Sequence, residues 1–179
     1  MTKMKIATSN LKEEALLMKI PIITDEGLFF LIETIKKHQV KTILEIGSAI
    51  GYSAIMMAAH VEKIVTVERE EELANIAREN IKEINLASKV TVINADALNL
   101  EITETFDLIF IDAAKAQYEK FFIKFKNNLT KDGIIICDNL NFHNLDYQKA
   151  SKSTQNLLKK LANFKKILKA NNEFETTYT

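Results

Sequence analysis

Five acidic residues, Glu45, Glu68, Asp96, Asp112 and Asp138, each lie at or near the end of a short apolar run in this 179-residue chain. Asp112 closes "FDLIFID", and Asp138 follows "GIIIC" with Asn139 next to it. If those two runs are adjacent strands, about 4.8 Å apart, their carboxylates can share one cation, and Asn139 adds a carbonyl oxygen. An oxygen-only donor set with room for water suits Mg²⁺ or Mn²⁺ better than zinc. Neither Cys137 nor His143 fits that pattern. Side chains alternate along a strand, so Cys137 should face away from Asp138 and into the core. "DN" alone would read as a turn; its pairing with Asp112 makes it a site candidate.

A second feature is "LEIGSAIGYSAI", residues 44–55, which holds two of only four glycines in the chain. Glycine permits a tight turn or the close approach of a ligand to the backbone. The spacing is G-x-x-x-G, whereas the dinucleotide fingerprint is G-x-G-x-x-G. Glu45 would also sit close to where a pyrophosphate must lie. A ligand carrying hydroxyls, an ammonium and a sulfonium suits a crevice lined by carboxylates better, and S-adenosylmethionine has all three. Taken alone, Gly47 and Gly51 require no more than a tight strand-to-helix turn.

The elements that must position these residues follow from periodicity. "VKTILEIG", "KIVTVE", "KVTVINAD", "FDLIFID" and "GIIICDN" read as strands, and "SAIMMAAHV", "EEELANIARENIKEIN" and "QYEKFFIKFKNNL" as the helices among them. Short β-branched runs alternating with helices predict a parallel sheet with crossover helices, an α/β doubly wound fold. Ligands bind such sheets outside the carboxyl ends of the strands, where the acids fall. Two helical stretches precede the first strand, separated by a break at Pro21; Thr24 is the expected N-cap of the second, with Asp25 and Glu26 in its first turn. His38 and His60 sit at helix ends and receive no function. One domain is expected over 1–179. It divides into an N-terminal helical cap (1–38), a cofactor and metal core (39–139) and a C-terminal basic helix with a partial hairpin (140–179).

The composition, 47% hydrophobic and 27% charged with zero formal net charge, suits a single packed domain. One cysteine excludes a disulfide framework. "ALLMKIPII" is too short and broken for a signal peptide or membrane span, so a cytoplasmic protein is expected. The charge is uneven: seven lysines and no acid lie between Lys149 and Lys169. In that stretch Leu157, Leu158, Leu161, Phe164 and Leu168 recur as a helical stripe for packing on the sheet. The lysines fall mainly on the other face, which is either simply solvated or contacts nucleic-acid phosphates.

"LEIGSAIGYSAIMMA", "VTVERE", "INADAL", "FIDAAKAQYEKFF" and "ICDNLNF" resemble, in order and spacing, the cation-dependent class I O-methyltransferases of the catechol and caffeoyl-CoA type. Within that family the chain is most similar to the bacterial tRNA 5-hydroxyuridine methyltransferases, and "KIPIITDEGLFFL" fits that subgroup. The resemblance implies a Rossmann-like fold with S-adenosylmethionine and Mg²⁺ or Mn²⁺ as cofactors. Glu45, Gly47 and Gly51 would form the methionine-side loop, Ser53 would bind the cofactor's carboxylate, and Glu68 would take the ribose hydroxyls. Asp96 and Ala97 would flank the adenine, Asp112 would contact both cofactor and cation, and Asp138 and Asn139 would complete the metal site.

The same resemblance makes Lys115 the catalytic base. Ala116 and Asn144 stand where relatives commonly carry glycine. Three functions remain open: methylation of 5-hydroxyuridine at the tRNA wobble position, methylation of a small catechol-like molecule, and cofactor binding without turnover. A homodimer and a tRNA partner are expected. Relatives of this type end in an antiparallel hairpin. "FETTYT", residues 174–179, has the content of its first strand, so the "GIIIC" strand is expected to be left as an exposed edge unless further chain, a second subunit or the tail covers it.

Overall fold

The computed structural model describes residues 3–138, 140 and 150–178. Two helices open the chain, α1 (Lys3–Leu17) and α2 (Asp25–Lys37). Thr24 caps α2 as its sequence predicts, its hydroxyl accepting from the Gly27 N–H at 3.1 Å. Leu28, Leu31 and Ile35 make the buried stripe of α2, while Lys12 of α1 pairs with Asp25 at 2.5 Å. Alternation then begins: β1 (Thr42–Ile46), α3 (Tyr52–Ala58), β2 (Lys63–Glu68), α4 (Glu71–Glu83), β3 (Val90–Asn94), β4 (Phe106–Ile111), α5 (Tyr118–Phe125), β5 (Leu129–Cys137) and α6 (Lys152–Ala170).

The five strands form one sheet in the order β3-β2-β1-β4-β5, with every pairing parallel. This is the doubly wound Rossmann-like arrangement, in which the order reverses beside β1 and opens a crevice at the carboxyl ends. Apolar clusters cover both faces. One joins the sheet to α2 and α3 through Leu31, Ile35, Ile43, Ile55 and Phe110. The other joins it to α5 and α6 through Leu44, Ile109, Tyr118, Phe122, Phe125 and Phe164. A sheet buried on both faces needs apolar residues at nearly every position, which is why the strands read as runs rather than alternations.

Three boundaries differ from the sequence reading. β5 begins at Leu129, four residues ahead of Gly133, and a register shift against β4 between Phe106 and Leu108 takes up the exposed Lys131–Asp132 pair. The helix read from "QYEKFFIKFKNNL" is shorter, flanked by 3-10 turns at Lys115–Gln117 and Lys126–Asn128. Residues 175–178 form no strand. Phe174 instead packs its ring on Phe122 at 5.4 Å, Lys126 pairs with Glu173 at 2.6 Å, and Lys165 lies 5.8 Å from the Tyr178 ring centroid. Aromatic burial on α5 thus overrides the strand propensity of the tail. Among the described residues β5 is an edge strand.

In α6 most of the expected stripe holds: Leu161, Phe164 and Leu168 are buried and Leu157 packs against the same cluster, while Leu158 is only half-buried. Lys159, Lys160, Lys166 and Lys169 are exposed, whereas Lys165 is half-buried beside Tyr178.

Candidate functional site

The chain leaves β1 through Gly47, whose N–H donates to the Val67 carbonyl at 2.8 Å. Gly47 and Gly51 both adopt positive φ, 98° and 85°. The reason differs at each. At Gly47 a Cβ would lie 2.2 Å from the backbone oxygen of Asp112, so the loop passes against the end of β4 where no side chain fits. Gly51 is the N-cap of α3 and meets Ala77 of α4. The sheet's ladder also runs one residue past its strands: the Asp112 N–H reaches the Ile46 carbonyl at 3.0 Å and the Asp138 N–H the Ile111 carbonyl at 3.1 Å.

Those loops enclose a cavity of about 300 Å³, at the small end for ligand sites. Gly47, Ser53, Glu68, Asp96, Ala97, Asp112 and Lys115 all line it. Glu68 holds the loop to the strand end: its carboxylate accepts from the Ala49 N–H at 2.8 Å and the Glu70 N–H at 2.9 Å. Asp96 turns the chain after β3 by accepting from the Leu98 N–H at 2.9 Å. The two acids thus lie on one side of the glycine loop, with Asp112 and Lys115 on the other.

Two residues expected in the ligand contact do not line the cavity. Gly51 faces α4. Glu45 is fully buried in β1, with Oε1 accepting from Ser53 Oγ and Oε2 from Thr66 Oγ1, both at 2.5 Å. Burial pushes its carboxyl up to about 7, opposed by the two hydroxyl bonds and reinforced by the charges of Asp112 and Glu68.

Asp112 and Asp138 follow paired positions, Ile111 opposite Cys137, on adjacent strands. Burial and the charge of Asp138 raise the Asp112 carboxyl to about 6, with Lys115 acting the other way. Asp112, whose ionisation the charge of Asp138 disfavours, forms with Asp138 on a rigid pair of strands an oxygen donor set that would suit a divalent cation. Asp138 does not line the cavity itself; its carbonyl accepts from Tyr118 Oη at 2.9 Å, which fixes the turn after β5. Asn139, His143 and Asn144 lie outside the described residues, and among the described residues no three His, Cys, Asp or Glu side chains cluster as a metal site. Cys137 packs into the apolar cluster against α5 and α6, and burial raises its thiol to about 12.

Sequence reasoning missed several neighbours. Pro21, Ile22 and Ile23 of the inter-helix segment close one wall, and Tyr52, Arg69 and Gln117 join the lining. Arg69 has a signal in hindsight, because it follows the strand-ending Glu68. The inter-helix segment has none, because nothing in "KIPII" shows that it folds back over the sheet. Ser48 Oγ is buried without a hydrogen-bond partner, a costly state for a hydroxyl.

The raised carboxyl of Asp112 has a stability consequence. Its folded value of about 6 exceeds the ordinary 3.8, so the folded state holds the extra proton between those values. That contribution is complete below about pH 4 and is lost as pH rises through about 6. In chelator, the unfolding temperature should fall between pH 4.5 and 7.5, and Asp112→Asn should fall less over the same range. Parallel curves for the two proteins would show that this carboxyl is not strained.

A family model described as O-methyltransferase matches residues 2–178. The catechol O-methyltransferase of Niastella koreensis is 32% identical over 145 residues, 75% of this chain and 65% of that enzyme, so the match spans just under two thirds of its length. A Staphylococcus aureus structure named as a candidate caffeoyl-CoA O-methyltransferase superposes with a TM-score of 0.85 at 30% identity, covering 96% of this chain and 84% of that one. The O-methyltransferase of Bacillus cereus in complex with SAH gives 0.81 at 26% identity, covering 93% and 80%. Among the described residues no helix is long and apolar enough to cross a membrane.

Proposed function

The chain belongs to the O-methyltransferase family, and from that premise we propose that it transfers a methyl group from S-adenosylmethionine to an oxygen acceptor, assisted by a divalent cation. The observation that carries the reading is the cavity that gathers Glu68 and Asp96 on one side of the Gly47 loop and Asp112 and Lys115 on the other. The Bacillus cereus neighbour holds SAH, and the residues here fit such a ligand. Glu68 takes the ribose hydroxyls, and Asp96 and Ala97 border the adenine. Gly47 lets the methionine end approach the backbone, and Ser53 lies where its carboxylate docks.

S-adenosylmethionine would supply the methyl group; Asp112, Asp138 and Asn139 are the residues that would hold a divalent cation, whose chemistry there would be to acidify the acceptor hydroxyl. Lys115, at the start of its 3-10 turn, accepts or steers away the acceptor's proton. The cavity walls hold donor and acceptor in line, which supplies much of the acceleration. Pro21 to Ile23 exclude water from one side.

We propose 5-hydroxyuridine at the tRNA wobble position as the acceptor, with its O5 as the oxygen that takes the methyl group. In support, the lysine-bearing helix α6 packs against the Lys115–Gln117 turn and leaves Lys159, Lys160 and Lys166 exposed to a polyanion. A small catechol-like acceptor is the second reading, favoured by the name of the Niastella koreensis relative.

The deciding assay offers labelled S-adenosylmethionine with Mg²⁺ to tRNA carrying 5-hydroxyuridine and, separately, to catechol. Labelled 5-methoxyuridine is expected, abolished by chelator and restored by Mg²⁺ or Mn²⁺. Binding to tRNA should weaken steeply with salt, and glutamine at Lys159, Lys160 and Lys166 should flatten that slope by roughly one unit for each phosphate no longer neutralised. Label on catechol alone would move the acceptor to the second reading; full activity in chelator would remove the cation.

A further inference from the structure

Of the five strand-end carboxylates, Glu45 is the one that the proposed mechanism leaves unused, and its position behind Ser53 gives it a task. Its two oxygens take the hydroxyls of Ser53 and Thr66, each at 2.5 Å. Ser53 also lines the cavity. A hydroxyl has one proton. When Glu45 is ionised it can only accept, so both hydroxyl protons point at it, and Ser53 offers an incoming ligand nothing but lone pairs. A ligand carboxylate also offers only lone pairs, and two acceptors facing each other make no bond.

One proton reverses the arrangement. A protonated Glu45 donates from Oε1 to Ser53 Oγ while Oε2 still accepts from Thr66, and Ser53 is released to donate outward. We infer that Glu45 is a positioning residue that takes up a proton from solvent as the cofactor's carboxylate docks, turning the Ser53 hydroxyl toward it. The inference rests on the proposed placement of the cofactor's methionine end beside Ser53. The surroundings favour the protonated form. Glu45 is fully buried, and the charged groups acting on it are Asp112 beyond β4 and Glu68 of β2, both acidic. Its other close partners, Ser53 of α3 and Thr66 of β2, are neutral. Burial and those two charges place its carboxyl at about 7, so the proton is within reach near neutrality.

The test is titration calorimetry of S-adenosylhomocysteine, in chelator at pH 8, in two buffers of different ionisation enthalpy. The wild type should take up close to one proton more per ligand than Glu45→Gln, whose amide donates to Ser53 without titrating. Above pH 7 the wild-type affinity should also fall about tenfold more per pH unit than that of Glu45→Gln. The ligand's own amino group titrates equally in both proteins and cancels. Ser53→Ala, checked for folding by circular dichroism, provides a second arm: it should lose the extra proton while Glu45 remains. Equal proton uptake and equal slopes in wild type and Glu45→Gln would overturn the inference. So would an undiminished extra proton in Ser53→Ala. If none of the three proteins binds S-adenosylhomocysteine, the cofactor placement itself fails.

Discussion

Lys115→Ala should lower kcat for methyl transfer by roughly 10²- to 10⁴-fold, the range in which a positioned acid or base acts, while the donor's affinity changes little. Lys115 stands three residues beyond Asp112 and opens the 3-10 turn that α6 packs against. Its charge acts on Asp112, so the ammonium lies near the carboxylates that would hold the cation. It lines the cavity on the far side of the glycine loop from Glu68 and Asp96, away from the groups assigned to ribose and adenine. A base lost there affects the reacting oxygen and leaves cofactor binding intact. Lys115→Arg separates two roles, since arginine keeps the charge but does not deprotonate in proteins. It should recover little activity if proton transfer matters, and most of it if only the charge is needed. Single-turnover kinetics with calorimetric donor affinities would check both, and Lys115→Ala within threefold of wild type would remove the residue from catalysis.

Gly47→Ala should unfold the protein far more easily. The added methyl group would lie 2.2 Å from the Asp112 carbonyl oxygen and 2.9 Å from its carbon, both backbone atoms that cannot step aside. The residue also holds φ at 98°, which costs an L side chain roughly 1–2 kcal/mol. Forced overpacking adds about 1–3 kcal/mol. For a chain of this length, each kcal/mol lowers the melting temperature by roughly 2–4 °C, so a drop of about 4–20 °C is expected by circular dichroism. Gly51→Ala is the control: its φ is similar, but the nearest atom is the Ala77 Cβ at 3.3 Å, so only the strain should register. Equal losses at the two positions would mean that the contact with Asp112 is not a hard one.

These two glycines show how far the sequence could be read. Their types and spacing marked the loop, and the acids at the strand ends marked the crevice, because a parallel sheet with crossovers puts both at the same edge. The neighbourhood of Asp112 and Asp138 was also legible, since one crossover between two strands usually makes them adjacent, as they are. The direction of Glu45 was not. In a strand apolar on both sides, alternation does not tell which face a single acid takes, and here packing sent it inward to Ser53 and Thr66. The start of β5 was hidden because Lys131 and Asp132 resemble a turn, whereas they occupy exposed strand positions at a register shift. For the tail, β propensity lost to the burial of one aromatic ring on another.

The hydrogen bonds that carry the ladder past the strand ends, from Asp112 to Ile46 and from Asp138 to Ile111, bear on how such a protein can diversify. They tie the main chain of both acids to the sheet, so the separation between the two carboxylates is inherited from strand spacing and owes little to the loops that follow. Beyond Lys115 and Asn139, those loops are then free to lengthen, shorten or change composition over generations without resetting the distance a cation would have to bridge. Acceptor preference can drift while the machinery beneath it stays in place, and a single backbone of this kind can serve many acceptors.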